Sequence, residues 1–187
     1  MKSTSFLFAM ILGSLFITSC GKDDPAPDKN DEEVITTMKL SFVPIGGGAT
    51  LSYQFDDPDG PGGRTPTQQE IVLAPGAAYN VTLQLLNNTT NPVTDITLEV
   101  LAEANAHRFY YEYSGSSNIT VSGLSNDGNG IPLGITSVWS TGAIGTGKIK
   151  VTLRHYAGTP PDKAAGDLVN SPKSATDVAV EFNTRIQ

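Results

Sequence analysis

Cysteine occurs once in the 187 residues, as Cys20, and tryptophan once. A single thiol cannot close a disulfide within the chain, so the fold has to be held by its core. A helix needs ~20 consecutive apolar residues to span a bilayer, and the apolar stretch from Phe6 to Ile17 has twelve. There is no Gly-x-Ser-x-Gly elbow, which leaves the nucleophile-plus-base arrangement of covalent hydrolases without support. Glu70, Glu112 and Glu181 show no spacing that would pair them across a cleft for glycoside hydrolysis. Positive charge is scarce as well. Twelve Lys and Arg against nineteen Asp and Glu give a net charge of -7, a poor surface for nucleic acid. The expectation is a protein that is not an enzyme.

The features present start at the N-terminus. Lys2, the apolar stretch and the run Ile17-Thr18-Ser19-Cys20 have the layout of a bacterial lipoprotein signal covering residues 1–19. The mature chain is then expected to begin at Cys20, acylated on its thiol and its amine. At roughly 0.8 kcal/mol per buried CH₂, several acyl chains hold a protein on a membrane in effect permanently. Residues 20–33 carry six acids, two lysines, two prolines and no large apolar side chain. They cannot bury enough surface to fold, and read as a flexible acidic tether. The Lys-Asp-Asp after Gly21 resembles an export tag, so the expected location is the outer membrane of a Gram-negative cell, facing the exterior, with the periplasmic face as the alternative.

Residues 34–187 make one domain of ordinary size. Apolar residues alternate with polar ones at Leu40 and Phe42, at Leu51, Tyr53 and Phe55, and at Val81, Leu83 and Leu85. The pattern returns at Ile119 and Val121, at Ile149, Val151 and Leu153, and at Val178, Val180 and Phe182. Glycine- and Asp-rich turns separate these runs. Short alternating strands with frequent turns predict an all-β fold, an antiparallel immunoglobulin-like β-sandwich. One segment, Asp95 to Ala106, reads as a helix capped by Thr94 or Asp95 with Ile96, Val100 and Ala104 on one face, although its first half also alternates as a strand. The stretch Gly158 to Ser174, rich in Pro, Lys and Asp, reads as a disordered insertion.

Several motifs invite a functional reading. Gly142 to Lys148 matches G-x-x-x-x-G-K, but Ile149 follows where a phosphate loop needs Ser or Thr and a helix. It reads as a glycine-rich hairpin. Asp57 and Asp59, in the turn Asp56 to Gly63, could wrap a calcium ion, and so more weakly could Asn126 to Gly130. The same residues also serve ordinary turns. His107 and His155 each run in phase with an apolar row and stand at a strand end. They could bind a metal ion with Glu103, which a helix would place one turn before His107, or flank a haem. They could equally be rim histidines bonded to main-chain carbonyls.

Across the domain, the opening Val34-Ile35-Thr36-Thr37, the turn Asp57-Pro58-Asp59-Gly60, Leu73 to Val81, His107-Arg108-Phe109, Trp139 to Gly142, Leu153-Arg154-His155 and the ending Thr176-Asp177-Val178 to Gln187 together resemble a family of small bacterial lipoproteins commonly labelled type 1 periplasmic binding fold superfamily proteins. The label implies a two-lobed fold of alternating strands and helices, whereas length and periodicity predict a sandwich. The resemblance also implies partnership with a TonB-dependent outer-membrane receptor. The resulting expectation is an accessory module that binds a ligand or partner. The alternatives are a metal or haem carrier using the two histidines and a calcium-stabilised adhesion module.

Overall fold

The computed structural model describes residues 33–60 and 62–187; the signal sequence, Cys20, the tether up to Glu32 and Pro61 lie outside them. The alternating runs fold as strands. In β1 (Thr37–Pro44), Met38, Leu40 and Phe42 are fully buried while Val43 is half exposed. The period-2 geometry of a strand separates the two faces. β2 (Leu51–Asp56), β3 (Thr67–Gln68), β4 (Ile71–Leu73), β5 (Ala78–Asn87) and β6 (Thr94–Asp95) follow. The one helix among the described residues, α1 (Ile96–Ala102), precedes β7 (His107–Gly115), β8 (Ile119–Ser122), β9 (Thr136–Thr141), β10 (Gly145–Tyr156) and β11 (Ser174–Ile186).

The strands form two sheets, so the chain is an all-β sandwich and not a two-lobed α/β protein. The first sheet runs β3-β2-β1-β5-β9-β8 with β6 beside β5, and the second runs β4-β11-β10-β7. All named pairs are antiparallel except β4 with β11. Trp139 of the first sheet, fully buried, meets Phe42 edge-on at 5.1 Å and Tyr111 of the second sheet at 5.9 Å. Its indole N–H donates to Ser137 Oγ at 3.0 Å, so the core tryptophan carries no unsatisfied polar group.

The helix is shorter than its apolar pattern. Asp95 caps it by accepting from the Thr97 N–H at 3.0 Å, and Ile96 and Val100 are buried beneath it. Past Ala102 the four-residue ladder lapses, with Ala106 N–H turning to Glu103 O three residues back. Lys163 Nζ donates to Ala104 O and His107 O, and Tyr156 N–H donates to Ala106 O. These bonds replace the next helical turn and deliver His107 to the start of β7. The 158–174 segment is likewise tied down and is not a disordered insertion. Arg108 reaches the carbonyls of Ala164 and Ala165, Tyr110 that of Asp167 and Arg154 that of Ser171, which straps the loop across the outer face of the second sheet.

The glycine-rich motif at 142–148 lies in the β9–β10 turn and the start of β10, with no helix after it. A Cβ on Gly147 would stand 2.6 Å from Ser114 O and from Ser117 N, so glycine is needed for close backbone approach. Lys148 pairs with Glu181 at 2.6 Å.

Candidate metal centre

His107 opens β7 and His155 stands near the end of β10, and the register pairs them directly across the two strands. Phe109 and Tyr111 on one strand, Val151 and Leu153 on the other, set the phase that turns both imidazoles toward the core. Their ring centroids are 4.5 Å apart. His107 is fully buried and His155 is 6% exposed.

The third member arrives through an irregularity in β11. Counting back from Phe182 through Val180 and Val178 in steps of two would leave Asp177 on the outer face. Pairing, however, runs Leu153 with Val178 and then Arg154 with Thr176, so Asp177 is an extra residue on β11. Such a two-against-one bulge re-aims a side chain. Here it turns the Asp177 carboxylate inward, 1% exposed, with Oδ2 3.7 Å from His107 Nε2.

The fourth member comes from the chain just before β1. Ile35 is buried, and Thr36 N–H donates to Leu86 O at 2.9 Å, which fixes the entry of the segment. Two residues before Ile35, Glu33 places Oε1 3.2 Å from His107 Nε2, its side chain 10% exposed. One ligand atom from each of Glu33, His107, His155 and Asp177 lies within 4.8 Å of every other. Around a tetrahedral ion at 2.0–2.1 Å, neighbouring ligand atoms stand about 3.3 Å apart. Small side-chain rotations would therefore close the cluster on an ion.

The surroundings fix the orientation of His107. Its Nδ1 lies 3.1 Å from the main-chain carbonyl of Glu103. A carbonyl only accepts, so Nδ1 carries the proton and Nε2 is left facing the carboxylates, the outer-shell arrangement that orients metal-binding histidines. Glu33 Oε2, on the far side of that carboxylate, is buried with no hydrogen-bond partner among the described residues. Behind the ring, Lys163 Nζ lies 2.7 Å from the buried Asp127 carboxylate and donates to Ala104 O at 2.7 Å and His107 O at 2.8 Å. That ammonium clamps the α1–β7 turn.

The electrostatics divide the two histidines. Burial opposes charge on His107, but the Glu33 and Asp177 carboxylates outweigh it and hold its pKa above the usual imidazole value. His155 is pushed down, first by burial and then by the charge on His107. Burial disfavours ionised Glu33, yet the His107 imidazole brings its pKa below the ordinary value. Without a metal ion, a proton on His107 balances the carboxylates; a divalent cation would replace it.

Two of the residues singled out from the sequence, His107 and His155, thus meet in one cluster. Glu103 does not join them. The helix ends before it and its side chain is exposed; its carbonyl meets His107 Nδ1, and its carboxylate reaches His155 only through its charge. A haem does not fit between the histidines, since axial imidazoles face each other across a macrocycle and these rings lie side by side at 4.5 Å, tilted by 35°. Asp57 and Asp59 belong to no such cluster among the described residues. Asp59 accepts from the N–H and guanidinium of Arg64 at 3.1 and 3.3 Å, which makes it turn chemistry. In Asn126 to Gly130, Asp127 accepts the N–H groups of Asn129 and Ile131 and pairs with Lys163.

Sequence reasoning alone does not pick out Glu33, Asp177 or Lys163 as site residues. Glu33 ends an acidic run that reads as solvated tether, and Asp177 sits in the outward phase of a strand. Lys163 lies in a stretch with no periodicity. A scan against protein-family models and searches of curated proteins and of solved structures return no significant match to this chain.

Proposed function

We propose that this protein is a non-enzymatic, lipid-anchored β-sandwich that binds one divalent transition-metal ion, zinc first among them, through Glu33, His107, His155 and Asp177. The observation that carries the reading is the convergence of four ligand atoms, from four separate segments, within 4.8 Å of one another. Two imidazole nitrogens and two carboxylate oxygens suit zinc and the neighbouring first-row divalent ions. Four protein ligands complete a tetrahedral sphere, as in structural and carrier sites, whereas catalytic sites keep a position open.

The lipoprotein signal supports acylation at Cys20 and an outer-membrane address. A tether from Cys20 to Glu33 spans at most about 45 Å at ~3.5 Å per residue. It would keep the bound ion close to the membrane. The resemblance noted above supports a TonB-dependent receptor as the partner that such an accessory would serve.

Protein purified from its own membrane is expected to carry one transition-metal ion per chain by native mass spectrometry and elemental analysis. After metal removal it should rebind zinc one to one. Metal-free native protein that also fails to take up zinc would end the proposal. Palmitate labelling of the wild type, lost in Cys20→Ala, tests the anchor separately.

A further inference from the structure

The outer face of the second sheet, opposite the metal centre, carries a groove of about 710 Å³ roofed by the strapped loop. Its outward side chains come from Lys150, Thr152 and Arg154 on β10 and from Arg108, Tyr110 and Glu112 on β7. The register sets Arg154 directly opposite Arg108 and Thr152 opposite Tyr110, while Ala179 of β11 faces Thr152 from the other side. Small Thr152 and Ala179 form the floor, and the long side chains around them form the walls.

Like charges directly opposite each other destabilise a sheet; the Tyr110 ring under the Arg108 guanidinium at 4.6 Å and the charge of Asp167 offset the pair in part, with no contact ion pair among the described residues. Arg108 Nη1 donates to two main-chain carbonyls, and Arg154 donates to carbonyls of Ser171 and Ser174 and hydroxyls of Ser174 and Thr176, all neutral acceptors. Among the described residues no carboxylate lies within 4.0 Å of either guanidinium or of Lys150 Nζ. Of the acids near the groove, Asp167 is held by Lys173 at 3.2 Å and Glu181 by Lys148 at 2.6 Å, while Glu112 stands opposite Lys150 in the register without closing to an ion pair. Two polar atoms remain unmatched. Thr152 is 3% exposed with no partner for Oγ1, and Arg108 Nε is buried without one. Leu168, on the loop at the groove, is 70% exposed.

We propose that this groove binds a small organic oxyanion, a carboxylate- or phosphate-bearing molecule. Its oxygens meet Arg108 Nε and Thr152 Oγ1, its charge is balanced by Arg108, Arg154 and Lys150, and its body lies along Tyr110 and Leu168. A domain with thirteen acids and nine Lys and Arg gathers in one groove three cations that form no contact ion pair among the described residues, which points to a ligand of negative sign.

The test uses metal-depleted protein, dialysed free of chelator, so that binding at the metal centre does not contribute. Glucuronate, its neutral counterpart glucose, and inorganic phosphate are titrated separately and followed by amide NMR shifts and calorimetry. Saturable shifts at Arg108, Thr152 and Leu168 with glucuronate identify a carboxylate ligand, with phosphate a phosphate ligand, and glucose should give none. Thr152→Val, which keeps the side-chain shape, and Lys150→Gln, at an exposed position, should each weaken binding about tenfold or more. No saturable shift with either anion overturns the proposal, as does binding that both variants leave unchanged.

Discussion

Replacing Asp177 by Asn keeps the size of the side chain and removes one anionic ligand from the proposed ion. In the wild type, zinc at about a thousand times its Kd would stabilise the folded state by about 4 kcal/mol. For a domain of about 150 residues, each kcal/mol moves Tm by roughly 2–4 °C, so zinc should raise the melting temperature by about 8–16 °C. Loss of an outer-shell partner of a metal ligand costs up to ~100-fold in affinity, and loss of a ligand itself should cost at least that much. A hundredfold weaker site at the same zinc concentration leaves about 1.4 kcal/mol of stabilisation. The Asp177→Asn protein should therefore gain at most about 3–6 °C. Differential scanning calorimetry of both proteins, each against its own metal-free baseline, reads the two increments. Equal increments would mean that zinc binds elsewhere, and no increment in the wild type would refute the centre itself.

Other perturbations probe the structure around the site. Lys163→Met leaves the Asp127 carboxylate buried without its cation and should cost about 3–5 kcal/mol in urea unfolding. Burial opposes ionisation of Asp127, but Lys163 and two main-chain N–H groups hold its pKa below the ordinary carboxylate value. Its stabilising contribution is thus present above the unfolded pKa of about 3.9 and is lost as pH falls through the lower folded value. Asp127→Asn should flatten the stability–pH curve in that acid window, and an unchanged slope would contradict the assignment. Gly147→Ala forces a methyl group against Ser114 O and Ser117 N, and should destabilise by about 1–3 kcal/mol; a neutral result would mean that the backbones part easily.

Much of the sandwich was legible because burial on one face imposes a two-residue period. Leu40, Leu83, Val151 and Phe182 all lie in the core, where that period puts them. The same rule hid part of the site. It placed His107 and His155 on the inner face but could not supply the register that makes them opposite neighbours. It also assigned Asp177 outward, since a bulge adds one residue without altering the pattern on either side of it. Glu33 was hidden by composition, because five other acids between Cys20 and Glu33 share its chemistry. The helix pattern overran its true end because the last turn is tightened, Ala106 N–H bonding Glu103 O, and the chain beyond is held by Lys163, 59 positions after the Ala104 carbonyl it takes. The ordered loop was missed for the same reason: its carbonyls are held by arginines whose role only the fold defines.

The placement of Glu33 ahead of Ile35 and Thr36 has a mechanical consequence. Traction along the N-terminal arm would reach the two-histidine, two-carboxylate cluster before it reached any rung of the sheet. Load and ion occupancy therefore share one attachment point: a bound cation would stiffen the joint, and a sufficient tug would pry away a ligand first.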